Sequence, residues 1–407
     1  RVLKVAVLQP SVTEFVPMID IISRNCKRLR AFGIISLGFF LIACDIETSK
    51  LTDGQGGYFA EPVPVALLIP SSAEATAPIA ASLENAARLA VADLDKIKID
   101  LRVYDTAGNA DIAARQAQIA VKEGAKIIVG PLYGGAANAA GLAVADKKVN
   151  ILSFSNNNAI AGGNVFVLGK TFDNTAKRIV EFAASQGKMR AIIVHPNNVE
   201  GSFGRLAIER AAMDTSLEIV ATQSFEFSQE GVVNAVPLIR AAVEIEEADL
   251  IFLTSTTAGA LGLLVQMLPE AGVQPDKVQF AGLARWDVPA QNLALPGVQG
   301  GWFALPDYRK AERFSARYKE AYGTQPHQLA GLAYDGIAAV GALLMTGQSD
   351  KFNRSSLTQS AGFEGIDGIF RLTSEGTNER GLAIAKVFNK RVVILDPAPS
   401  AFDFLSF

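Results

Sequence analysis

The hydrophobic pattern of the chain alternates between two periods from Pro62 onward. Short runs of consecutive apolar and β-branched residues, such as Val63–Ile69, are typical of strands buried on both faces. Between these runs, apolar residues recur at every third or fourth position, as in Thr76–Leu94, which is the spacing of an amphipathic helix. The alternation predicts successive strand–helix–strand units.

The predicted elements continue this order for most of the chain. The strands are Val63–Ile69, Ile99–Tyr104, Ala125–Val129, Asn150–Ser153, Ala191–His195, Leu217–Gln223, Leu250–Thr254, Val278–Ala281 and Gln299–Phe303. The helices are Thr76–Leu94, Asp111–Glu123, Ala136–Ala145, Asn174–Gln186, Phe203–Met213 and Gly259–Leu268. Helical connections of this length suit parallel strands, and so many strands exceed one sheet. We therefore predict an α/β protein with two doubly wound, parallel-sheet lobes.

A different pattern precedes these units. Ala31–Ala43 is an apolar run of 13 residues, well short of the roughly 20 that a membrane-spanning helix needs. Arg24, Lys27, Arg28 and Arg30 lie just before it, and Cys44 follows directly. Cationic residues, a short apolar core and a small residue before cysteine are typical of a lipoprotein signal peptide. We expect residues 18–43 to be this peptide and Cys44 to carry the lipid.

This interpretation also bears on where translation starts and on the chemistry of the two cysteines. Met18 would start a signal peptide of normal length, so residues 1–17 are interpreted as an upstream, non-native segment. The chain has two cysteines, Cys26 and Cys44, so the mature protein would have no internal disulfide and no thiol for zinc or catalysis. Residues 44–61 are polar and rich in glycine, and are predicted to be a flexible tether.

The charge composition limits the classes of partner that the chain can bind. Lys and Arg total 38 against 41 for Asp and Glu, so the chain has no excess charge for nucleic acid or an anionic membrane surface. Membrane attachment would then depend on the lipid at Cys44, on the periplasmic face of a bacterial envelope. The choice between inner and outer membrane stays open.

The later sequence resembles a known family. The segments VALLIPSS (65–72), KIIVGPLYGG (126–135), NILSFSNNNAI (150–160), FVLGKTFDNTAKRIVEFA (166–183), GSFG (201–204), YKEAYGTQPHQLAGLAYDGIAAV (318–340) and FEGIDGIFRLTSEGTNERGL (363–382) occur in family order. Together they are similar to type I periplasmic binding proteins of the leucine/isoleucine/valine-binding family. The resemblance implies two lobes joined by three crossovers, with lobe 1 formed by 62–170 and 300–358, and lobe 2 by 171–299 and 359–407.

The resemblance also implies a ligand cleft at the carboxyl ends of the strands. The candidate ligand-binding residues are Tyr133, Gly134, Gly135, Ser153, Ser155, Asn156 and Asn157 from one lobe, and Phe203, Ser255, Thr256, Arg285 and Trp286 from the other. The same residue types also serve turns in any α/β protein.

The chain differs from the family at two positions that bind an amino-acid ligand. Family members hold the ligand carboxylate with a serine in the segment that matches Gly134-Gly135, and the ligand ammonium with an acidic residue near Leu283–Arg285. This chain has neither at those positions. We therefore expect a small polar ligand in the cleft, and weak or no binding of leucine, isoleucine and valine.

A second resemblance concerns the end of the chain. GIFRLTSEGTNERGLAIAKVFNKRVVILDPAP is similar to the endings of penicillin-binding protein activators, envelope lipoproteins with the same binding fold that regulate a peptidoglycan synthase. The sequence slightly favours this regulatory role. The alternative is a solute receptor that delivers its ligand to an ABC permease.

The sequence gives little indication of an enzyme. Gly162–Thr171 nearly spells a phosphate-binding loop, but Asn164 occupies the place of a required glycine and Val165–Leu168 is an apolar strand. His195 and His327 are interpreted as surface or cleft-edge residues, and the sequence contains no nucleophile-elbow motif and no metal-ligand spacing. We expect a non-catalytic protein without metal or cofactor.

The lipid assignment can be tested at one residue. Cys44→Ser should abolish acylation, because serine has no thiol for the lipid donor, and should leave an uncleaved precursor. Metabolic labelling with a fatty-acid analogue measures this directly, and Cys26→Ser is the matched control that should keep its label. A labelled Cys44→Ser protein would contradict the lipoprotein assignment.

Overall fold

The computed structural model describes residues 61–346 and 350–402. The expected signal peptide (18–43), its upstream segment (1–17), Cys44 and all but the last residue of the tether lie outside the described residues.

The described residues alternate strands and helices as the hydrophobic pattern predicts. The strands are β1 (Val63–Ile69), β2 (Ile99–Asp105), β3 (Ile127–Val129), β4 (Ile151–Ser153), β5 (Val165–Val167), β6 (Arg190–Pro196), β7 (Glu218–Phe225), β8 (Leu250–Leu253), β9 (Gln279–Gly282), β10 (Trp302–Leu305), β11 (Phe363–Gly365), β12 (Gly368–Leu372), β13 (Asn378–Arg380), β14 (Ala383–Phe388) and β15 (Arg391–Asp396). The helices are α1 (Ala77–Ala92), α2 (Ala110–Lys122), α3 (Gly134–Val144), α4 (Phe172–Ser185), α5 (Val199–Met213), α6 (Gln229–Ile245), α7 (Leu261–Glu270), α8 (Tyr308–Tyr322), α9 (Ala330–Met345) and α10 (Arg354–Leu357).

The first lobe is built on a parallel sheet of order β2-β1-β3-β4-β5. Successive side chains of a strand point to opposite faces, so β1 contributes to two cores. Val65, Leu67 and Ile69 belong to a core with α1, α8 and α9. Ala66 and Leu68 belong to a core with α2 and α3. Helices on both faces explain why β1 is apolar at nearly every position.

The second lobe has a mixed sheet of order β15-β14-β10-β9-β8-β6-β7. Strands β6 to β10 are parallel, with α6 and α7 on one face and α4 and α5 on the other. Strands β14 and β15 are antiparallel, which the prediction of purely parallel sheets missed. Asn389 and Lys390 join them with φ of 50° and 60°. A two-residue turn of this kind connects only antiparallel strands.

The chain passes between the lobes three times. It leaves the first lobe after β5, returns between β10 and α8, and leaves again between β13 and β14. Before the third passage, β11, β12 and β13 form a small antiparallel sheet whose Phe363, Phe370 and Leu372 lie in the core of the first lobe. The α/β class and the two-lobed architecture are confirmed.

Two of the predicted lobe boundaries differ from this arrangement. Residue 300 was expected to begin the return to the first lobe, but β10 pairs with β9 in the second sheet, so the chain stays there to Leu305. Residue 359 was expected to begin the final stretch of the second lobe. Because β11–β13 pack against the first lobe, the last passage comes after Arg380. In both cases strand pairing, which is not local in sequence, sets the boundary.

A buried polar network joins the first and third passages. The Arg380 guanidinium lies 3.4 Å from the Asp335 carboxylate of α9 and donates to the carbonyl of Leu168. Asn378 donates to the carbonyls of Val167 (2.8 Å) and Gly169 (3.0 Å). Burial raises the pKa of Asp335 to about 6; the Arg380 charge opposes this shift and the neighbouring Asp367 adds to it.

Within residues 61–346 and 350–402, no helix combines the length and the apolar character required to cross a bilayer.

The network makes a pH-dependent prediction. Arg380→Met leaves Asp335 buried without its counter-ion, which should cost about 3–5 kcal/mol of unfolding free energy near pH 8. A carboxyl whose pKa is raised in the folded state stabilises the fold when protonated and loses this contribution as the pH rises through the folded pKa. Removing Arg380 raises the Asp335 pKa further, so the deficit relative to wild type should shrink toward pH 5. Urea unfolding at both pH values, followed by tryptophan fluorescence, measures it.

The matched control is Arg391→Met, which removes an exposed arginine at the start of β15. It should change stability by no more than about 0.5 kcal/mol at either pH. An Arg380→Met deficit that is equal at pH 5 and pH 8 would contradict the assigned role of Asp335.

Candidate functional site

The carboxyl ends of the parallel strands of both sheets open onto one cleft of about 850 Å³. Residues after β3 and β4 line it from the first lobe, and residues after β8 and β9 line it from the second. The first two passages between the lobes also reach it, at Lys170 and Pro306. The cleft therefore lies where the sequence predicts a ligand site in this class of fold.

Glycine 130 sets the path of the chain into the first wall. Its φ is +92°, and a Cβ there would lie 2.1 Å from the Leu68 carbonyl oxygen, so only glycine fits. The next residue, Pro131, accepts hydrogen bonds from the Ser153 hydroxyl (3.1 Å) and from the Phe154 amide (3.0 Å). The loops after β3 and β4 are thereby held together as one surface.

Ser155 is the central polar group of this surface. It is 6% exposed and lines the cleft. Its amide donates to the Ser153 hydroxyl (3.1 Å), and its own hydroxyl oxygen accepts from the Asn157 amide (3.1 Å). The Gly169 amide donates to its carbonyl (3.1 Å), and a Cβ on Gly169 would lie 2.3 Å from that oxygen. The first passage between the lobes therefore fixes the position of Ser155.

The Ser155 hydroxyl lies beside the start of α3. A Cβ on Gly134 would be 3.2 Å from the Ser155 Oγ. Tyr133 precedes α3 and makes no side-chain capping hydrogen bond. The first amides of a helix carry partial positive charge and favour an anion, and a hydroxyl proton can join them. A hydroxyl from the neighbouring loop therefore lies next to Gly134, at the start of α3.

The second wall carries one cation and a pair of threonines. Thr256 and Thr257 follow β8, and Arg285 follows β9. The Arg285 Nε donates to the Asp287 carboxylate at 2.9 Å. Ser255 lies underneath at 3% exposure, and its hydroxyl has no partner within the described residues.

An ion pair in the lining joins the first passage to the small third sheet. The Lys170 ammonium lies 2.6 Å from the Asp367 carboxylate. Lys170 belongs to the first passage, and Asp367 lies in the turn between β11 and β12. The same Asp367 acts on the pKa of the buried Asp335, so the cleft is in electrostatic contact with the network between the lobes.

Helices α8 and α9 add an apolar wall and a histidine. Phe314 and Leu332 line the cleft, with Leu132 and Phe154 from the strand-end loops. The amide of Leu329 donates to the Nδ1 of His327 at 3.2 Å. This bond leaves Nε2 as the nitrogen of the neutral ring that carries the proton.

Five of the twelve candidate residues line the cleft: Tyr133, Ser155, Asn156, Thr256 and Arg285. The other seven are placed nearby or in the core: Ser153 and Ser255 are buried, Gly134 and Gly135 begin α3, Asn157 caps a short turn, Phe203 is exposed on α5, and Trp286 is in the core. His195, expected at the surface or cleft edge, is buried in β6.

Trp286 is a packing residue of the second lobe. It is 0% exposed, and its ring occupies the space beside Gly282 and Gly301. A Cβ on either glycine would come within 2.1 Å or 2.0 Å of the ring. The position of Trp286 after a strand end predicted a cleft residue. Instead, Gly282 at the end of β9 and Gly301 just before β10 leave a space in which the indole is buried.

The sequence analysis missed several cleft residues as ligand-binding candidates. Lys170, Phe314, His327 and Asp367 line the cleft, and of these the sequence predicted a position only for His327, at the surface or cleft edge. Only the fold brings these distant segments together, although the segments matching the family did include all but Phe314. Among the described residues, no group of three or more His, Cys, Asp or Glu side chains is placed to hold a metal ion.

The contrast between lining and packing residues is testable. Trp286→Ala should lower the unfolding free energy by about 3–5 kcal/mol, because it removes a fully buried indole and leaves a cavity. The double variant Tyr133→Ala, Asn156→Ala should cost no more than about 1 kcal/mol, because both side chains are exposed. Urea unfolding followed by circular dichroism measures both. Equal destabilisation of the two proteins would contradict these placements.

Solved structures similar to this chain share its fold. A putative branched-chain amino acid ABC transporter from Rhodospirillum rubrum has a TM-score of 0.71 at 16% identity, covering 82% of this chain and 100% of that one. An ABC transporter substrate-binding protein from Desulfitobacterium hafniense, in complex with Leu, has 0.59 at 18%, covering 82% and 100%. A solute binding protein of an ABC transporter from Rhodopseudomonas palustris BisB5, in complex with 3,4-dihydroxy benzoic acid, has 0.54 at 19%, covering 83% and 98%.

Sequence comparison agrees with the fold. A search of curated proteins found no match. The sequence profile of the periplasmic binding protein family matches residues 62–391, which include both lobes and all three passages between them. The chain therefore belongs to the periplasmic binding protein family.

Proposed function

We propose that this chain is the solute-binding receptor of an ABC importer and that it holds a small ligand in the cleft between its lobes. The observation that carries the proposal is the cleft of about 850 Å³, which both lobes and the passages between them line. A small molecule bound there contacts both lobes at once. Its binding free energy therefore favours the arrangement in which the lobes are closed around it.

The chemistry of the walls supports a small organic ligand. Tyr133, Ser155 and Thr256 offer hydroxyl groups, while Phe154 and Phe314 offer aromatic surface. Ligand pockets typically combine an apolar lining with a few polar groups that fix the orientation of the ligand. Periplasmic binding proteins are solute-binding proteins, and the proposal assigns no catalytic role to the cleft.

The similar structures support the role of an importer receptor but do not identify its ligand. They come from ABC transporter proteins, and one binds Leu while another binds 3,4-dihydroxy benzoic acid. At 16–19% identity these likenesses carry the fold and not the ligand. The identity of the solute must be argued from the cleft of this chain.

The activator role expected from the end of the sequence has less support. Its resemblance depends partly on Glu379-Arg380. In the structure the Glu379 carboxylate bonds the Lys177 ammonium (3.0 Å) and the Arg371 guanidinium, and Arg380 bonds Asp335 and Leu168. Both residues serve the connection between the lobes, so their presence gives no separate indication of a synthase partner. We therefore favour the importer receptor over the regulator of peptidoglycan synthesis.

The proposed location follows from the family and the signal segment together. A periplasmic binding protein acts outside the inner membrane, and lipid attachment at Cys44 would keep the receptor near its permease. A receptor held at the membrane has a higher local concentration near the permease than a freely diffusing one.

Closure of the lobes tests the proposal. The purified chain should show a smaller radius of gyration in X-ray scattering, and a higher midpoint of thermal unfolding, with one or more members of a solute panel of amino acids, organic acids and sugars. A ligand at 100 times its Kd that binds only the folded protein adds about 2.7 kcal/mol of stability. The Tyr133→Ala, Asn156→Ala variant should fold and lose most of this response.

Phe388→Ala is the matched control, because Phe388 is an exposed aromatic residue at the end of β14 and does not line the cleft. It should close like wild type. If no solute in the panel changes either quantity, and a peptidoglycan synthase is stimulated by the chain instead, the importer proposal is wrong.

A further inference from the structure

The charged side chains of the cleft are unequal in number. Among the described residues that line it, Asp367 is the single carboxylate, whereas Lys170 and Arg285 are both cationic. Arg285 is paired with Asp287, whose carboxylate accepts from its Nε at 2.9 Å, and Lys170 is paired with Asp367. These pairings decide which charged ligand the cleft can bind.

Asp367 is not available as a partner for a ligand ammonium. Its carboxylate already lies 2.6 Å from the Lys170 ammonium, and its side chain is only 11% exposed. A ligand ammonium that approached Asp367 would place a second positive charge beside Lys170. The two like charges would repel each other in a partly desolvated cleft, where such repulsion is stronger than in water.

Groups that suit an anion are available in the first lobe, in the loop after β4 and at the start of α3. The Ser155 hydroxyl oxygen accepts a bond from the Asn157 amide, so its proton is free to be donated. It lies beside the first turn of α3, whose preceding residue Tyr133 provides no side-chain cap. Arg285 lies on the facing lobe, and its guanidinium is paired with Asp287.

The cleft also has a large apolar surface. Leu132, Phe154, Phe314 and Leu332 line it from the strand-end loops and from α8 and α9. A hydrocarbon or aromatic body gains from burial against these side chains. A highly hydroxylated body would leave hydroxyl groups without partners there.

We propose that the cleft selects a small carboxylate with an apolar body and no ammonium group. The inference rests on the proposed function of solute receptor and deepens it, since it names the class of the solute. The ion pair between Lys170 and Asp367 is the specificity-determining feature, because it neutralises the carboxylate that an amino acid would require. The Ser155 hydroxyl and the first turn of α3 hold the carboxylate of the ligand.

Matched pairs of ligands test the inference with the purified full chain. Leucine and 4-methylpentanoate differ only in the ammonium group, as do phenylalanine and 3-phenylpropanoate. Isothermal titration calorimetry should give, in at least one pair, a Kd at least about tenfold lower for the acid without the ammonium group. The amine 3-methylbutylamine, which lacks the carboxylate, should not bind.

A charge variant changes the selectivity. Lys170→Met leaves Asp367 as a free carboxylate and should improve the Kd for leucine relative to 4-methylpentanoate by about tenfold or more. Lys188→Met, which changes a partly exposed lysine between α4 and β6, is the matched control and should keep the wild-type ratio. Scattering with each ligand confirms that binding closes the lobes.

The outcomes separate the two claims. Leucine binding as tightly as 4-methylpentanoate, or tighter, overturns the carboxylate inference and keeps the receptor function. Closure with a sugar or another solute but with none of the acids does the same. An unchanged ratio in Lys170→Met overturns the role of the ion pair. No closure with any solute overturns both claims.

Discussion

The two lobes depend on one buried ion pair, between Asp335 and Arg380. Arg380 ends the small third sheet and bonds both Asp335 of helix α9 and the backbone of the first passage at Leu168. Buried charges are costly unless they are paired and hydrogen-bonded, so these three segments must meet in one arrangement. That constraint fixes where the chain leaves the first lobe for the second time.

The cleft is built directly on this arrangement. Gly169 follows Leu168 and holds the carbonyl of Ser155, and Lys170 comes next and pairs with Asp367. The residues that fix the passages and the residues that line the cleft are therefore neighbours in sequence and in space. The Asp367 carboxylate also raises the pKa of Asp335, so the lining of the cleft and the network between the lobes share these few groups.

Glycine residues allow close packing between segments in both lobes. Gly130 and Gly169 allow backbone segments to approach within distances that a Cβ would forbid, which aligns two loops along one wall of the cleft. Gly282 and Gly301 do the same in the second lobe, but the space they leave is filled by Trp286. The same residue type therefore shapes a wall of the cleft in one lobe and a packed core in the other.

The sequence by itself determined the α/β class, the two-lobed architecture and most strands and helices of the first 300 residues, because buried parallel strands and amphipathic helices have distinct hydrophobic periods. It also placed the cleft at the strand ends, and five of twelve candidate residues line it. Only the tertiary structure decided the antiparallel end of the second sheet, the lobe boundaries, the burial of Trp286 and the pairing of Lys170 with Asp367. Each of these depends on contacts between segments distant in sequence, where local periodicity carries no information about which surfaces meet.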